Sequence, residues 1–582
     1  MIVNKYSDVL SEKSRLVQPQ YALCRCKIYP TRVRGHTGPY GRVVLSYGFH
    51  FMVLSIRANP QLFLLCILLH CTLPILVQPV STSSKAQRKH SPLLANCTLT
   101  LIIDILSQTE HPIFGHALAE FEMPRGNAYL RFMNETTNTG LIHLHGLLGS
   151  DQLLLTNTAA LNEALIQRAY DFEWPEGDSN FLQRILGNGL ITSEGQVHKQ
   201  QRKQMARSFG VKQIKGLYPS FWDKSMCLVR KIAQELNQNS KMDGSSLVSG
   251  ETDVCDWAQR AALDIIGEIG FGWDFNTLSN PDNELAKSFE QIFAPTIENA
   301  LLFVISVYGP KWALDYVPGG ISRRFLTATG KVRDVCRAFI KDKTAQVKTS
   351  NNILSQLMAQ EGVSEDLLVD QTLTFLTAGN ETVAIALTWA TYLLAKHSDI
   401  QSQLRHELRC NLPPTRAIDD LPSILESLPI LNGVINETLR LYPSAPVAVR
   451  VSTRDTYILG NVVPKGTRIF IAPWSVNRST DLWGPQAETF LPERWIDPAG
   501  TPNITGGTET KSPLLTFLHG PRNCIGQGFA KAELLTLVAV FVQNFQISMI
   551  NSNDVKAPGG ALSAKPAGGM RLRLEVLDKT IL

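Results

Sequence analysis

A cysteine set among glycines and an arginine is the strongest chemical signal in the chain. The stretch reads Phe517-Leu518-His519-Gly520-Pro521-Arg522-Asn523-Cys524-Ile525-Gly526-Gln527-Gly528-Phe529. Glycines let a backbone turn tightly and approach a flat ligand. An apolar helical pattern follows at once, with Phe529, Leu534, Leu535, Leu537, Val538, Val540 and Phe541. A helix start presents unpaired N–H groups and a positive dipole end, and both favour a thiolate. Arg522 adds a fixed cation suited to a ligand carboxylate. A thiolate held in this way suits iron, and in haem enzymes thiolate ligation favours O–O cleavage. Taken alone, Cys524 is as consistent with a structural cysteine in a Gly-rich turn, because free cysteines are mostly just buried.

Other residues have chemical content of their own. Glu437 and Arg440 stand at i and i+3, so they share a helix face, flanked by Leu431, Val434, Ile435, Leu439 and Leu441. A solvated surface pair is worth under about 1 kcal/mol. Among apolar neighbours the pair needs a further hydrogen-bond partner, which Arg494 of Pro492-Glu493-Arg494-Trp495 can supply. Ala378-Gly379-Asn380-Glu381-Thr382 lies inside an apolar pattern running from Leu367 to Leu394. Glycine inside a helix costs about 1 kcal/mol relative to alanine. A C-cap at Gly379 is the plain alternative, but the pattern resumes at Val383. A helix that opens locally is therefore expected, with a ligand able to approach the backbone and an acid and a hydroxyl beside the opening. His198 and Arg202 stand one turn apart in Glu194–Lys203, and histidine can donate to a carboxylate. Ala472-Pro473-Trp474-Ser475-Val476-Asn477-Arg478 carries no chemistry that the sequence assigns.

The pattern F-x-x-G-x-R-x-C-x-G, from Phe517 to Gly526, matches the haem-binding signature of the cytochrome P-450 family at every fixed position. The remaining segments fall in that family's order over residues 112–582, and the sequence resembles its fungal-type microsomal members. The resemblance implies a fold that is mostly α with small β-sheets, built around haem b (iron protoporphyrin IX). Cys524 is the implied metal ligand, with Phe517, Arg522 and Gly526 in the cofactor loop. Glu437, Arg440 and Arg494 match the E-x-x-R pair and the P-E-R-F/W segment and are structural by that resemblance. Glu381 and Thr382 match the distal A/G-G-x-D/E-T motif. They are the implied catalytic pair, Thr382 bonding to dioxygen and Glu381 relaying protons. A common second threonine is Val383 here. His198 stands where the family often has Trp in W-x-x-x-R. With Arg202, Arg450 and Arg522 it is an implied contact of the haem propionates.

The elements that must position these residues are mostly helical. Apolar spacing predicts helices over Leu182–Leu190, Gln213–Leu236, Trp257–Ile269, Leu285–Ile305, Gly330–Val347, Leu367–Leu394 and Ile424–Leu441. Strands are expected late, at Val447–Val451, Thr467–Ile471 and Met570–Val576. Residues 112–582 read as one catalytic domain without repeats. With 44% apolar and 18% charged residues in 582, a disordered chain, a coiled coil and a small disulfide scaffold are excluded. The ten cysteines are scattered without a CxxC pair, against a zinc ribbon. A net charge of +5 makes no case for nucleic acid.

Residues 1–60 form a basic extension with nine Lys/Arg and two Asp/Glu. Residues 61–80 hold the most apolar run, Leu62 to Val77, 16 residues without a formal charge. A membrane helix wants about 20, and His70 and Pro74 weaken this one, so a membrane anchor is expected there with a core helix or signal segment as the alternative. The basic extension before it and Lys85, Arg88 and Lys89 after it argue for opposite orientations. Residues 81–111 read as a linker.

By the resemblance, the activity is monooxygenation of an apolar small molecule in secondary metabolism, with terpenoids and also fatty acyl or aromatic compounds as candidate classes. Electrons come from NADPH through a separate NADPH-cytochrome reductase, since no flavin or dinucleotide motif is visible. Of six N-x-S/T sequons, Asn380 and Asn436 fall in motif helices where a glycan would not fit. The catalytic domain is therefore expected to face the cytosol from the endoplasmic reticulum membrane. Two alternatives stay open: a haem-thiolate isomerase or dehydratase that needs no O2, and a non-catalytic haem-binding sensor.

Overall fold

Prolines cut the helical periodicity into more pieces than its apolar spacing suggests. The computed structural model describes residues 115–582 apart from 243–247, 295, 310–311, 313–316, 318–319, 345–351, 360–362, 413–419, 511–512, 552–553, 555, 561 and 582. The basic extension, the expected anchor at 61–80 and the linker lie outside the described residues. The helices that carry the argument are α1 (Glu176–Leu186), α2 (Gly195–Met205), α3 (Tyr218–Met242), α4 (Val254–Ile265), α5 (Glu284–Phe293), α6 (Ile297–Tyr308), α7 (Ile321–Thr344), α8 (Glu365–Lys396), α9 (Ser398–Asn411), α10 (Leu421–Ser427), α11 (Pro429–Leu441) and α12 (Gln527–Asn544). The helix expected over 285–305 is two, α5 and α6, bent by 60°; the sequence places Pro295 at the break. The one expected over 424–441 is also two, because Pro429 cannot continue α10 but is well placed to start α11. Among the described residues no single helix is long and apolar enough to cross a membrane.

The strands are β1 (Leu141–His145), β2 (Asp151–Leu155), β3 (Phe172–Glu173), β4 (Ser249–Asp253), β5 (Ala448–Ser452), β6 (Thr456–Ile458), β7 (Asn461–Val463), β8 (Arg468–Ile471), β9 (Phe545–Ser548) and β10 (Arg571–Val576). A five-stranded sheet has the order β1-β2-β8-β5-β3, a three-stranded sheet the order β4-β10-β9, and β6 pairs with β7. β2 runs parallel to β8, with Leu153 opposite Ile469, while β5 runs antiparallel to β8 and sets Arg450 opposite Ile469. The early strands β1 to β4, and the late β6, β7 and β9, lie outside the three expected from the sequence. β1 alternates correctly, but histidines occupy its exposed positions and leave only Leu141, Ile142 and Leu144 as an apolar signal.

α8 is the spine. Ser364 caps it by accepting from the Leu367 N–H, and Glu365 and Asp366 complement the dipole in its first turn. It is apolar nearly all round, as a buried helix must be, and packs against α4, α7, α11 and α12. It stays α-helical from Glu365 to Lys396, so the local opening expected at 378–382 does not occur. Gly379 instead answers a packing need, because a Cβ there would come within 3.0 Å of the Ile266 side chain.

α11 carries the expected charge pair into the core. Glu437 and Arg440 are both 0% exposed. The Glu437 carboxylate accepts from Arg440 Nε and Nη2 at 2.7 Å each and from Arg494 Nε at 3.0 Å. The Leu491 N–H at 3.0 Å and Trp495 Nε1 at 2.9 Å add two donors. Arg440 also donates to the carbonyls of Asn477, Ala487 and Thr489 at 2.6, 2.5 and 3.2 Å. The segments around 477 and 487–495 are thus pinned to one buried ion pair.

Candidate functional site

The Cys524 loop is fixed by its backbone. The Cys524 N–H donates to the Phe517 carbonyl at 2.9 Å. Gly520 takes φ +76°, and a Cβ there would lie 2.0 Å from the Leu165 carbonyl oxygen, so only glycine fits. Gly526 caps α12. A Cβ on Gly526 would stand 3.9 Å from Cys524 Sγ; the protein has room for one, but a side chain there would crowd the flank of the sulfur. Among the described cysteines, Cys255 and Cys336 are buried, with thiols pushed up to about 12 by burial. Cys524 is exposed. The protein around it still raises its thiol pKa through desolvation, while the Gly526 N–H and the Arg202 guanidinium pull it down.

Three arginines converge beside this loop. His198 is held neutral: burial, then Arg522, Arg202 and Arg450, lower it from 6.5 to about 4. All three guanidiniums act on this one imidazole, whose Nδ1 lies 3.2 Å from the Tyr170 hydroxyl. Arg202, one turn along α2, donates to the Asn523 carbonyl at 2.5 Å and to the Asn523 side chain. Arg522 donates to the carbonyls of Phe172 and Ser193 at 2.9 and 3.1 Å and pairs with Glu194. Arg450 is buried, stands 4.2 Å over the Trp174 ring and donates to its neighbour's carbonyl, Val449 O, at 2.7 Å. Burial is the main reason its pKa falls to about 10. Arg202 and Arg450 form no ion pair with a carboxylate among the described residues. The sequence did not reveal Glu194, Asn523, Tyr170 and Trp174 as partners, since each is distant along the chain from the arginine it meets and none holds a fixed position of a motif.

The distal pair is arranged differently from expectation. From Leu368 to Leu394 every residue of α8 is buried except Ala378, Gly379 and Thr382. These stand at i, i+1 and i+4 and form one stripe of the helix. The Thr382 hydroxyl donates to the Ala378 carbonyl at 2.7 Å, and Ser444 Oγ donates to the Thr382 carbonyl at 2.8 Å. Glu381 is buried off that stripe. Its carboxyl accepts from Gln259 Nε2 at 3.3 Å and from Ser563 Oγ at 3.1 Å. Burial raises its pKa, while Lys565, Ser563 and Gln259 pull the other way. The structure therefore brings no direct contact between the Glu381 carboxyl and the Thr382 hydroxyl. Gln259, Ser563 and Lys565 are further residues of this site that no sequence pattern marked.

These residues fit a haem. An accessible thiol sits beside a glycine, two guanidiniums near it have no carboxylate partner, and α8 bares one short stripe in an otherwise buried length. Cys524 would hold the iron, and Arg202, Arg450 and neutral His198 would receive the two carboxylates, with Arg522 partly committed to Glu194.

The charge cluster predicts a pH effect. An unfolded chain takes up a proton on His198 near pH 6.5, whereas the folded chain refuses it until about pH 4. Stability should fall as pH drops through that window, by up to about 3 kcal/mol for the haem-free protein. Carboxylates placed on the arginines would restore the imidazole's affinity for protons, so haem loading should flatten the slope. Urea denaturation between pH 7 and pH 4.5, with and without haem and with His198→Gln, measures this. An equal slope in wild type and His198→Gln would remove the cluster as its cause.

Comparison with known proteins agrees with the site. The cytochrome P450 family model matches residues 106–569. The chain is 36% identical over 476 residues to the cytochrome P450 monooxygenase ptmK of Penicillium ochrochloron, covering 81% of this chain and 92% of that one. It is 39% identical over 452 residues to the cytochrome P450 monooxygenase sphH of Aspergillus fumigatus, covering 76% and 81% respectively. With the thiol, the cations and the bared stripe of α8 in place, the chain belongs to the cytochrome P450 family and is a haem-thiolate monooxygenase.

Proposed function

We propose that the enzyme inserts one atom of O2 into an apolar product of secondary metabolism, with terpenoids, fatty acyl compounds and aromatic compounds as the candidate classes. Electrons come from NADPH through a separate NADPH-cytochrome reductase, and the catalytic domain faces the cytosol from the endoplasmic reticulum membrane. Similarity to fungal monooxygenases supports the metabolic setting. The apolar run at 62–77 supports the anchor. Burial of the sequon residues Asn380, Asn436 and Asn477 supports a cytosolic body, since none could carry a glycan in this fold.

The observation that carries the oxygen chemistry is the acid and alcohol at 381 and 382. Bound haem supplies the redox centre. Thr382 sits on the bared stripe of α8, where its hydroxyl can turn from the Ala378 carbonyl to hold a proton for a bound ligand. Glu381, with its pKa raised by burial, keeps a proton to higher pH than a surface carboxyl does. Ser563 and Gln259 hold it on the far side, so a proton passing to Thr382 crosses by way of water or a turn of the Glu381 side chain.

Thr382→Ala tests this. Positioned proton transfer contributes about 10²–10⁴-fold, so product formed per NADPH should fall by up to about 10² while NADPH consumption continues. Unchanged coupling would count against the relay. Turnover with isotopically labelled dioxygen tests the reaction class: one labelled atom is expected in the product, and product formed without O2 or reductase would point to an isomerase or dehydratase instead.

A further inference from the structure

A cavity of about 380 Å³ opens where the ends of α8 and α11 meet the segment Ala472–Arg478. Small-molecule sites span roughly 300–1,000 Å³. It stands apart from the bared stripe of α8: Tyr392, on its wall, lies about 15 Å from Thr382 at 1.5 Å per helical residue. Tyr442, Trp474 and Phe490 add three more rings to the lining.

The lining carries the cations Lys396, Arg478 and Lys556 and one exposed carboxylate, Glu488. Lys396 is exposed at the end of α8, with Nζ 5.6 Å from the centre of the Tyr392 ring. Arg478 is only 7% exposed, and its guanidinium stands 3.5 Å from the centre of the Trp474 ring. It donates to the carbonyls of Leu441 and Trp474 and forms no ion pair with a carboxylate among the described residues. Three of its five N–H donors are left over. Trp474 Nε1 is buried without an acceptor. Burying a guanidinium that makes no direct ion pair is costly, and burial lowers this one to about 9 against the longer-range pull of Glu488 and Glu437.

We propose that this cavity binds an aromatic carboxylate, with its anionic group on Arg478 and its ring among Tyr442, Trp474 and Phe490. The guanidinium fork matches a carboxylate in two places. Aromatic walls favour a flat apolar body, and Lys396 at the mouth draws the anion in.

The test titrates naphthoate into the haem-loaded enzyme with imidazole saturating the haem. Calorimetry and tryptophan fluorescence report binding. The proposal expects one-to-one saturation, with uncharged naphthalenemethanol binding at least about tenfold more weakly. Lys396→Glu, a surface change, should weaken naphthoate by a similar factor, and Arg478→Gln by more. Absence of saturable binding overturns the proposal. So does equal affinity for the neutral analogue, or binding that neither variant alters. If Arg478→Gln fails to fold, Lys396→Glu and the analogue comparison still decide between the outcomes.

Discussion

Replacing Glu437 with alanine should leave almost no folded protein. The Glu437 carboxylate is 0% exposed and gathers donors from Arg440, Leu491, Arg494 and Trp495. Its removal strands the Arg440 guanidinium in the core with carbonyls alone for company. Breaking a buried ion pair from one side costs about 3–5 kcal/mol. The orphaned Leu491 and Trp495 donors add about 1–3 kcal/mol each. A domain of ordinary stability holds only about 5–15 kcal/mol. Soluble yield and thermal denaturation of Glu437→Ala check this. Glu437→Gln, which keeps acceptor capacity but loses the charge, should fall between it and wild type. A Glu437→Ala protein that melts near the wild-type temperature would contradict the account.

That ion pair also shows what the sequence could and could not convey. Glu437 and Arg440 are legible because helical spacing puts them on one face, and Arg494 is legible as a needed third partner. Trp495 is legible as a member of the P-E-R-F/W segment but not as a donor to Glu437, and Leu491 is not legible at all, because a backbone N–H has no residue type. The role of Asn477 as an acceptor for Arg440 was invisible for the same reason, since a carbonyl has no residue type. The cationic cluster was readable as His198, Arg202, Arg450 and Arg522. Its internal accounts were not: Arg522 is shared with Glu194, whereas Arg202 and Arg450 have no carboxylate. At 378–382 the residue types identified the segment, but helix phase decided the directions. Thr382 falls on the open stripe, Glu381 one residue earlier points to Gln259 and Ser563, and Gly379 accommodates Ile266 without breaking the helix. Boundaries slipped where a proline cut a continuous apolar pattern, at Pro295 and Pro429.

The second large effect belongs to Cys524. The other described cysteines offer no substitute. Cys255 and Cys336 are buried with thiols held near 12, Cys227 is half-buried with a raised pKa, and exposed Cys410 sits beside His406 at the end of α9. Among them Cys524 is the exposed thiol in the Gly-rich loop: desolvation raises its pKa too, but the Gly526 N–H and the Arg202 charge oppose that rise. Alanine at 524 removes the ligand but leaves the loop intact, because the 524 N–H still donates to the Phe517 carbonyl and Gly520 keeps its turn. The variant should therefore fold, hold haem weakly through its arginines and lose turnover altogether.

The most direct measurement is the carbon-monoxide difference spectrum of the reduced protein, taken on wild type and Cys524→Ala side by side. Wild type should give the absorption band of thiolate-ligated haem, and the variant should give none, whatever porphyrin it retains. Identical bands from the two proteins, or a wild type that binds no haem, would contradict the assignment of Cys524 as the iron ligand.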